Sequence, residues 1–240
     1  MSKDLQDSIG FVFIHGAGLD NRIWKKVAEG FNHPYLLAEY PLRQGSADSR
    51  KRLSLEDYAI GMKKQIEAWG VRRIVLVAHS IGGVLALKLA SELGNRLAGF
   101  IAVGAVIPKA GGSFLSAMPF PQRIIMAAIM RILGTKPPEA AIRAGLCSDL
   151  ASDQASEIVR GFTPEAVRLF TDRVRASIPD VPRLYVKLTK DKEILPSLQD
   201  RMIAALAPGS VRSLDTGHLP MIGDPDGLRA ILEEFKRSVP

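Results

Sequence analysis

Arg73-Ile74-Val75-Leu76-Val77-Ala78-His79-Ser80-Ile81-Gly82-Gly83-Val84-Leu85-Ala86 runs from an extended apolar segment, through a single serine, into a helix. A strand that turns so abruptly into a helix holds its apex residue in a strained backbone conformation, and only Ala or Gly fits two positions to either side. Ala78 and Gly82 meet that demand, although Ala78 departs from the commoner G-x-S-x-G pattern. Ser80 also precedes the first turn of the helix, where free backbone N–H groups and the helix dipole favour negative charge, so the N–H of Ile81 is a candidate anion donor. Serine at such a place can equally be a helix cap and nothing more.

Outward from this stretch, β-rich runs alternate with amphipathic ones, the pattern of a mostly parallel sheet covered by helices on both faces, an α/β fold. Strands are expected at Ile9 to Ile14, Pro34 to Glu39, Arg73 to Ala78, Gly99 to Val103, Leu184 to Leu188 and Val211 to Leu214. Ser54-Leu55-Glu56-Asp57 opens a helix that reaches Trp69, with Ser54 as cap, Asp57 as its reciprocal partner and Gly70 as the stop. Asp224 and Pro225 open the last helix, whose Leu228, Ile231, Leu232 and Phe235 share one face.

The alternation fails between 108 and 182, where Pro and Gly clusters frame helical stretches. Residues 1–107 and 183–240 therefore read as the core, and 108–182 as an inserted, mainly helical cap. The first part of the cap carries Met118, Phe120, Ile124, Ile125, Met126, Ile129, Met130, Ile132 and Leu133. Such a stripe is expected to pack on the main domain, to line a substrate site, or both.

The chain's 240 residues suit one large catalytic unit with an insertion. Lys and Arg exceed Asp and Glu by 32 to 25, yet the densest basic run, Arg50-Lys51-Arg52, is too short for a phosphate-tracking stripe. Nucleic acid is not an expected partner, and the charge is read as solubility with a bias toward anionic surroundings. The single cysteine, Cys147, forbids an internal disulfide and fits a reducing compartment. Met1-Ser2-Lys3-Asp4 leads into polar residues without an apolar leader, and no run approaches the roughly 20 apolar residues that span a bilayer. A cytoplasmic location without a membrane span is expected, and a homodimer is left open.

A second motif gives Ser80 a chemical context. Phe11-Val12-Phe13-Ile14-His15-Gly16-Ala17-Gly18 ends an early strand in a loop able to aim the Ala17 N–H at the same point as that of Ile81. A serine nucleophile in such a sheet needs a histidine later in the chain. Of the four histidines, His15, His33 and His79 precede Ser80, which leaves His218 in Leu214-Asp215-Thr216-Gly217-His218-Leu219-Pro220, after one strand and before the last helix. The acid is expected in Thr189-Lys190-Asp191-Lys192-Glu193, with Asp191 leading and Glu193 as the alternative; Asp215 is too near His218 to approach from the right side.

These residues resemble the α/β-hydrolase superfamily along nearly the whole chain, and within it the branch of plant methylesterases, hydroxynitrile lyases and bacterial esterase relatives. His15-Gly16-Ala17 with Ile23-Trp24-Lys25-Lys26-Val27 is similar to that branch's opening, Leu188-Thr189-Lys190-Asp191-Lys192 to its acid loop, and Gly217-His218-Leu219-Pro220-Met221 to its histidine loop. The resemblance implies an α/β-hydrolase fold and a triad of Ser80, Asp191 and His218, with Ala17 and Ile81 as oxyanion donors. Gly16, His79, Met118 and Leu219 are the expected substrate contacts. The lyases carry threonine where this chain has Gly16 and lysine where it has Leu219, so the resemblance favours an esterase. Serine at position 80 disfavours the aspartate-nucleophile dehalogenases and epoxide hydrolases.

The expected reaction is hydrolysis of a small, partly apolar carboxylic ester through an acyl-enzyme, with no metal or other cofactor. A lactone, thioester or C–C bond suits the same triad, and a triad-bearing ligand receptor is the alternative outside catalysis.

Overall fold

A computed structural model describes residues 8–240; residues 1–7, and with them the polar N-terminal stretch, lie outside the described residues. All six expected strands form, with ends moved by one or two residues: β1 (Ile9–Ile14), β2 (Tyr35–Ala38), β3 (Arg73–His79), β4 (Leu97–Val103), β5 (Arg183–Leu188) and β6 (Ser210–Leu214). They make one sheet in the order β2-β1-β3-β4-β5-β6, and every pairing is parallel. The longer helices are α1 (Leu55–Trp69), α2 (Gly82–Leu93), α3 (Gln122–Leu133), α4 (Ser152–Gly161), α5 (Pro196–Leu206) and α6 (Pro225–Lys236).

Strand side chains alternate between two cores, as the two-residue period of a strand requires. Val12, Ile14, Ile74, Leu76, Phe100, Ala102 and Tyr185 point to one face and pack with α1, α2 and α5. Phe11, Phe13, Val75, Val77, Ile101 and Val186 point to the other, where Trp24, Val27 and the Leu228, Leu232 and Phe235 side of α6 cover them. Because the middle of a parallel sheet is buried on both faces, β1, β3 and β4 read as nearly continuous apolar runs, whereas the edge strand β6 exposes Val211 to Ser213. The expected reciprocal cap at Ser54 and Asp57 closes the start of α1, and Asp224 accepts from the Gly227 N–H at the start of α6.

Residues between β4 and β5 form five helices, α3 and α4 among them. One cluster from this crossover, Ile142, Leu146, Cys147, Ala155 and Phe162, packs with Leu19 and Leu219 of the core loops. Cys147 is buried and unpaired, and burial pushes its thiol up to about 11, so the thiolate is scarce at neutral pH.

The expected packing of the 118–133 stripe on the main domain holds only in part. Met118 is buried and Met126 and Met130 rest against the core, but no residue of α3 itself is buried. Phe120, Ile124, Ile125, Ile129, Ile132 and Leu133 are exposed. The sheet face on that side is already covered by α1, α2 and α5, which leaves α3 an outer position.

A charged joint ties the crossover to the core. Arg43 donates through Nη2 to Glu165 Oε1 at 2.8 Å and to the Leu19 carbonyl at 2.6 Å, and through Nε to Glu39 Oε1 at 3.2 Å. Tyr58 donates to the other oxygen of Glu165 at 2.8 Å. Burial opposes charge on Glu39, yet His15, the Asn21 N–H and Arg43 hold its carboxyl down to about 2. With the Glu165 side chain 1% exposed, removing its cation leaves a buried carboxylate without compensation. Arg43→Met is therefore expected to cost about 3 to 5 kcal/mol in urea unfolding. Adding Glu165→Gln should restore a large part of that loss; strictly additive losses in the double variant would show that the two side chains are not coupled.

Candidate active site

Parallel strands deliver all their carboxyl-end loops to one edge of the sheet, and four of these loops meet there. Ser80 directly follows β3 and leads into α2 with φ 56°, one of three positive values among the described non-glycine residues. Its backbone is held on several sides: its N–H donates to the Val103 carbonyl at 3.3 Å, and its carbonyl accepts from Gly83 at 3.1 Å and Val106 at 2.9 Å. The small-residue demand at the flank is met closely, because a Cβ on Gly82 would come 3.0 Å from the His15 carbonyl and 3.1 Å from that of Ile14.

His218, on the loop after β6, brings Nε2 to 3.1 Å from Ser80 Oγ and Nδ1 to 2.8 Å from Asp191 Oδ2. An ionised carboxylate only accepts, so Nδ1 carries the proton and Nε2 of the neutral ring is left to accept from the serine hydroxyl. Asp191, on the loop after β5, is 2% exposed. Its Oδ1 accepts from the N–H groups of Glu193 at 2.8 Å and Ile194 at 2.9 Å. Of the acids weighed for this role, Asp191 is the one bonded to His218. Asp215 pairs outward with Lys190 at 2.7 Å, and burial, countered by His218 and aided by Asp191, holds the Glu193 carboxyl above its usual range.

Burial disfavours the imidazolium of His218, but the Asp191 charge and hydrogen bond, with Glu193 and Asp149 further off, outweigh it. The His218 pKa is raised above the usual 6.5. A histidine so placed takes a proton more readily than a free imidazole, because the neighbouring carboxylate favours its charged form.

Several supports of this site have no local sequence signal. Asp149, from the β4–β5 crossover, accepts from the Gly217 N–H directly before His218. Gln199 of α5 is fully buried and donates to the Leu188 and Ile194 carbonyls at 3.0 and 2.8 Å, and to Asp191 Oδ2 at 3.4 Å. Asp149 lies 68 residues from its partner, and a side chain bound to backbone leaves no mark in composition.

Gly16 lies directly against the serine, since a Cβ there would stand 3.0 Å from Ser80 Cβ and 3.0 Å from His79 Nδ1. Ala17 follows on the same loop, half-buried, and Ile81 is the buried residue that caps α2. His79, expected to contact substrate, is fully enclosed. Burial and the neighbouring His218 press its pKa far down, and its Nε2–H donates to the His218 carbonyl at 2.8 Å, so it braces the histidine loop from behind. Leu219 is also fully buried, inside the cluster that joins crossover to core. Met118 lines a cleft of about 470 Å³ with Phe114, Met126, Glu193, Ile194 and Leu198, which reaches within two residues of Asp191.

Comparison with known proteins agrees with this architecture. Over 97 residues the chain is 29% identical to the 2-succinyl-6-hydroxy-2,4-cyclohexadiene-1-carboxylate synthase of Klebsiella pneumoniae, an overlap of 39% of this chain and 37% of the synthase. An extracellular alpha/beta-hydrolase from a Paenibacillus species superposes with a TM-score of 0.84 at 18% identity, covering 94% of this chain and 98% of its own. A methylesterase from Arabidopsis superposes with a TM-score of 0.77 at 20% identity, covering 95% and 99%. The sequence pattern of one family, the alpha/beta hydrolases, matches residues 11–231, and the chain belongs to that family.

Proposed function

We propose that this protein hydrolyses carboxylic esters through an acyl-enzyme on Ser80. The observation that carries the reading is the continuous, buried hydrogen-bonded chain from Ser80 Oγ through His218 to Asp191. In this reading His218 takes the Ser80 proton as Oγ attacks the carbonyl carbon. Asp191 holds the ring in the working tautomer and stabilises the imidazolium, which then protonates the leaving alcohol. Water, deprotonated by the same ring, releases the acid.

The N–H groups of Ala17 and Ile81 would hold the oxyanion, each worth on the order of 100- to 1,000-fold in rate. Residues 108–182 act as a cap, with Met118 and its neighbours in the cleft taking an apolar part of the substrate. Gly16, without a side chain, leaves the carbonyl's approach to Ser80 clear. Support from relatives is of the same kind: the Arabidopsis neighbour is a methylesterase, and another structural neighbour, from Sphingobium faniae, is a pyrethroid hydrolase.

Turnover of a short p-nitrophenyl ester is expected from the wild type and should fall on the order of 10⁴-fold or more in Ser80→Ala. Asp191→Asn should cost on the order of 10³- to 10⁴-fold, and Glu193→Gln far less. Equal rates in wild type and Ser80→Ala, or a larger loss from Glu193→Gln than from Asp191→Asn, would overturn the assignment. Tight ligand retention without multiple turnover would point to a receptor instead.

The base must be neutral to act, so kcat/KM should rise with pH through the raised pKa of His218, above 6.5. Glu193→Gln removes an anion that favours the imidazolium. The acid limb should then move to lower pH, by less than about one unit. A shift to higher pH, measured on the same ester, would contradict this account of the ring's environment.

A further inference from the structure

The residues Ile125, Ala128, Ile129 and Ile132 of α3 recur at i, i+3, i+4 and i+7, the spacing with which a helix turns one apolar stripe toward a core. Here that stripe faces outward. Ile125, Ile129 and Ile132 are exposed, Ile132 by 79%, with Ile124 and Leu133 on its margins and Phe120 just before the helix. Single exposed apolar residues are ordinary, but six within 14 positions form a contiguous patch of the kind that marks a binding surface.

Charge identifies what fits it. Between Glu92 and Glu139 the chain has no acidic residue at all, while it carries Arg96, Lys109, Arg123, Arg131 and Lys136. Arg123, Arg131 and Lys136 lie on α3 or just beyond it, and all three are exposed. The Arg123 guanidinium stands over the Phe120 ring at 5.6 Å, so cation and apolar anchor are adjacent. A second copy apposed on this face would set these cations against their own kind with no acid between them. An anionic lipid surface offers both complements at once, phosphates for the cations and an acyl boundary for the isoleucines. No helix among the described residues is long and apolar enough to cross a membrane, and the 12 residues of α3 suit a helix lying in the plane of one.

We propose that α3 is an interfacial anchor that docks the protein on anionic membranes, with Phe120, Ile125, Ile129 and Ile132 in the headgroup boundary and Arg123, Arg131 and Lys136 on lipid phosphates. The cleft beside Glu193 is lined by Gln122, Ile125 and Met126 of the same helix, so the anchor and the cleft share Ile125. Binding of this kind needs no chemistry at Ser80 and stands apart from the proposed hydrolysis.

The test is flotation of the purified protein with phosphatidylcholine vesicles, with and without phosphatidylglycerol, at low and high salt. Wild type and Ser80→Ala should float alike with the anionic vesicles, and much less with the neutral ones or in high salt. Ile129→Asp with Ile132→Asp, and separately Arg131→Gln with Lys136→Gln, should each lower binding about tenfold or more, with thermal melting unchanged as proof of folding. Failure of the wild type to float, or flotation unaffected by either double variant, overturns the proposal. So does a dimer in sedimentation velocity that Ile129→Asp with Ile132→Asp dissociates while no flotation is seen, since the face would then belong to a second copy.

Discussion

Ser80 keeps a backbone conformation that an L-residue adopts only under constraint, and much of the molecule is arranged to keep it there. Its strand is paired on both sides, by β1 and by β4, so the end of β3 cannot relax sideways. Its own amide and carbonyl are both tied to the neighbouring backbone, and α2 starts without the room to shift, since a Cβ on Gly83 would come within 2.6 Å of the Val106 carbonyl. A strain of this kind costs on the order of 1 to 3 kcal/mol and persists only where the surroundings over-determine it. The same tightness reaches the loop after β1, where a Cβ on Gly16 would stand 3.0 Å from that of Ser80.

Around that fixed point the polar groups are graded by distance. Asp191 accepts from two backbone N–H groups, the His218 ring and, at longer range, Gln199, so it has one geometry to offer. Glu193 and Asp149 act on the same ring from further away, and His79 and Asp149 hold the backbone of its loop at adjacent residues, His218 and Gly217. The ring's orientation therefore rests on the core and on the β4–β5 crossover together.

What was legible in the sequence was what local rules govern. The inner strands β1, β3 and β4 could be read because burial on both faces makes them nearly unbroken apolar runs, and the α1 cap because Ser54 and Asp57 satisfy each other within one turn. Ser80, His218 and Asp191 could be placed by their positions after strands, since parallel topology sends those loops to one edge. Asp149 and the Arg43–Glu165 pair were not legible, because each joins positions far apart in sequence whose meeting depends on the finished fold; Gln199 sits near its partners in the chain, but a glutamine bound mainly to backbone carbonyls leaves no mark in the sequence pattern. The stripe on α3 shows the limit from the other side: periodicity reveals that a helix has an apolar face but not whether the protein itself covers it.

Three unlike contacts are among those by which the crossover meets the core: Arg43 on Glu165, Asp149 on the Gly217 amide, and Phe162 lying where any side chain on Gly18, itself at φ 79°, would have to go. Each contact has one half in the crossover and the other in a loop of the sheet's working edge. A crossover grafted from a relative would therefore not be an interchangeable part. Positions 18, 43 and 217 would have to travel with it, so a segment that breaks the alternation of strand and helix is nevertheless bound by inheritance to residues outside itself.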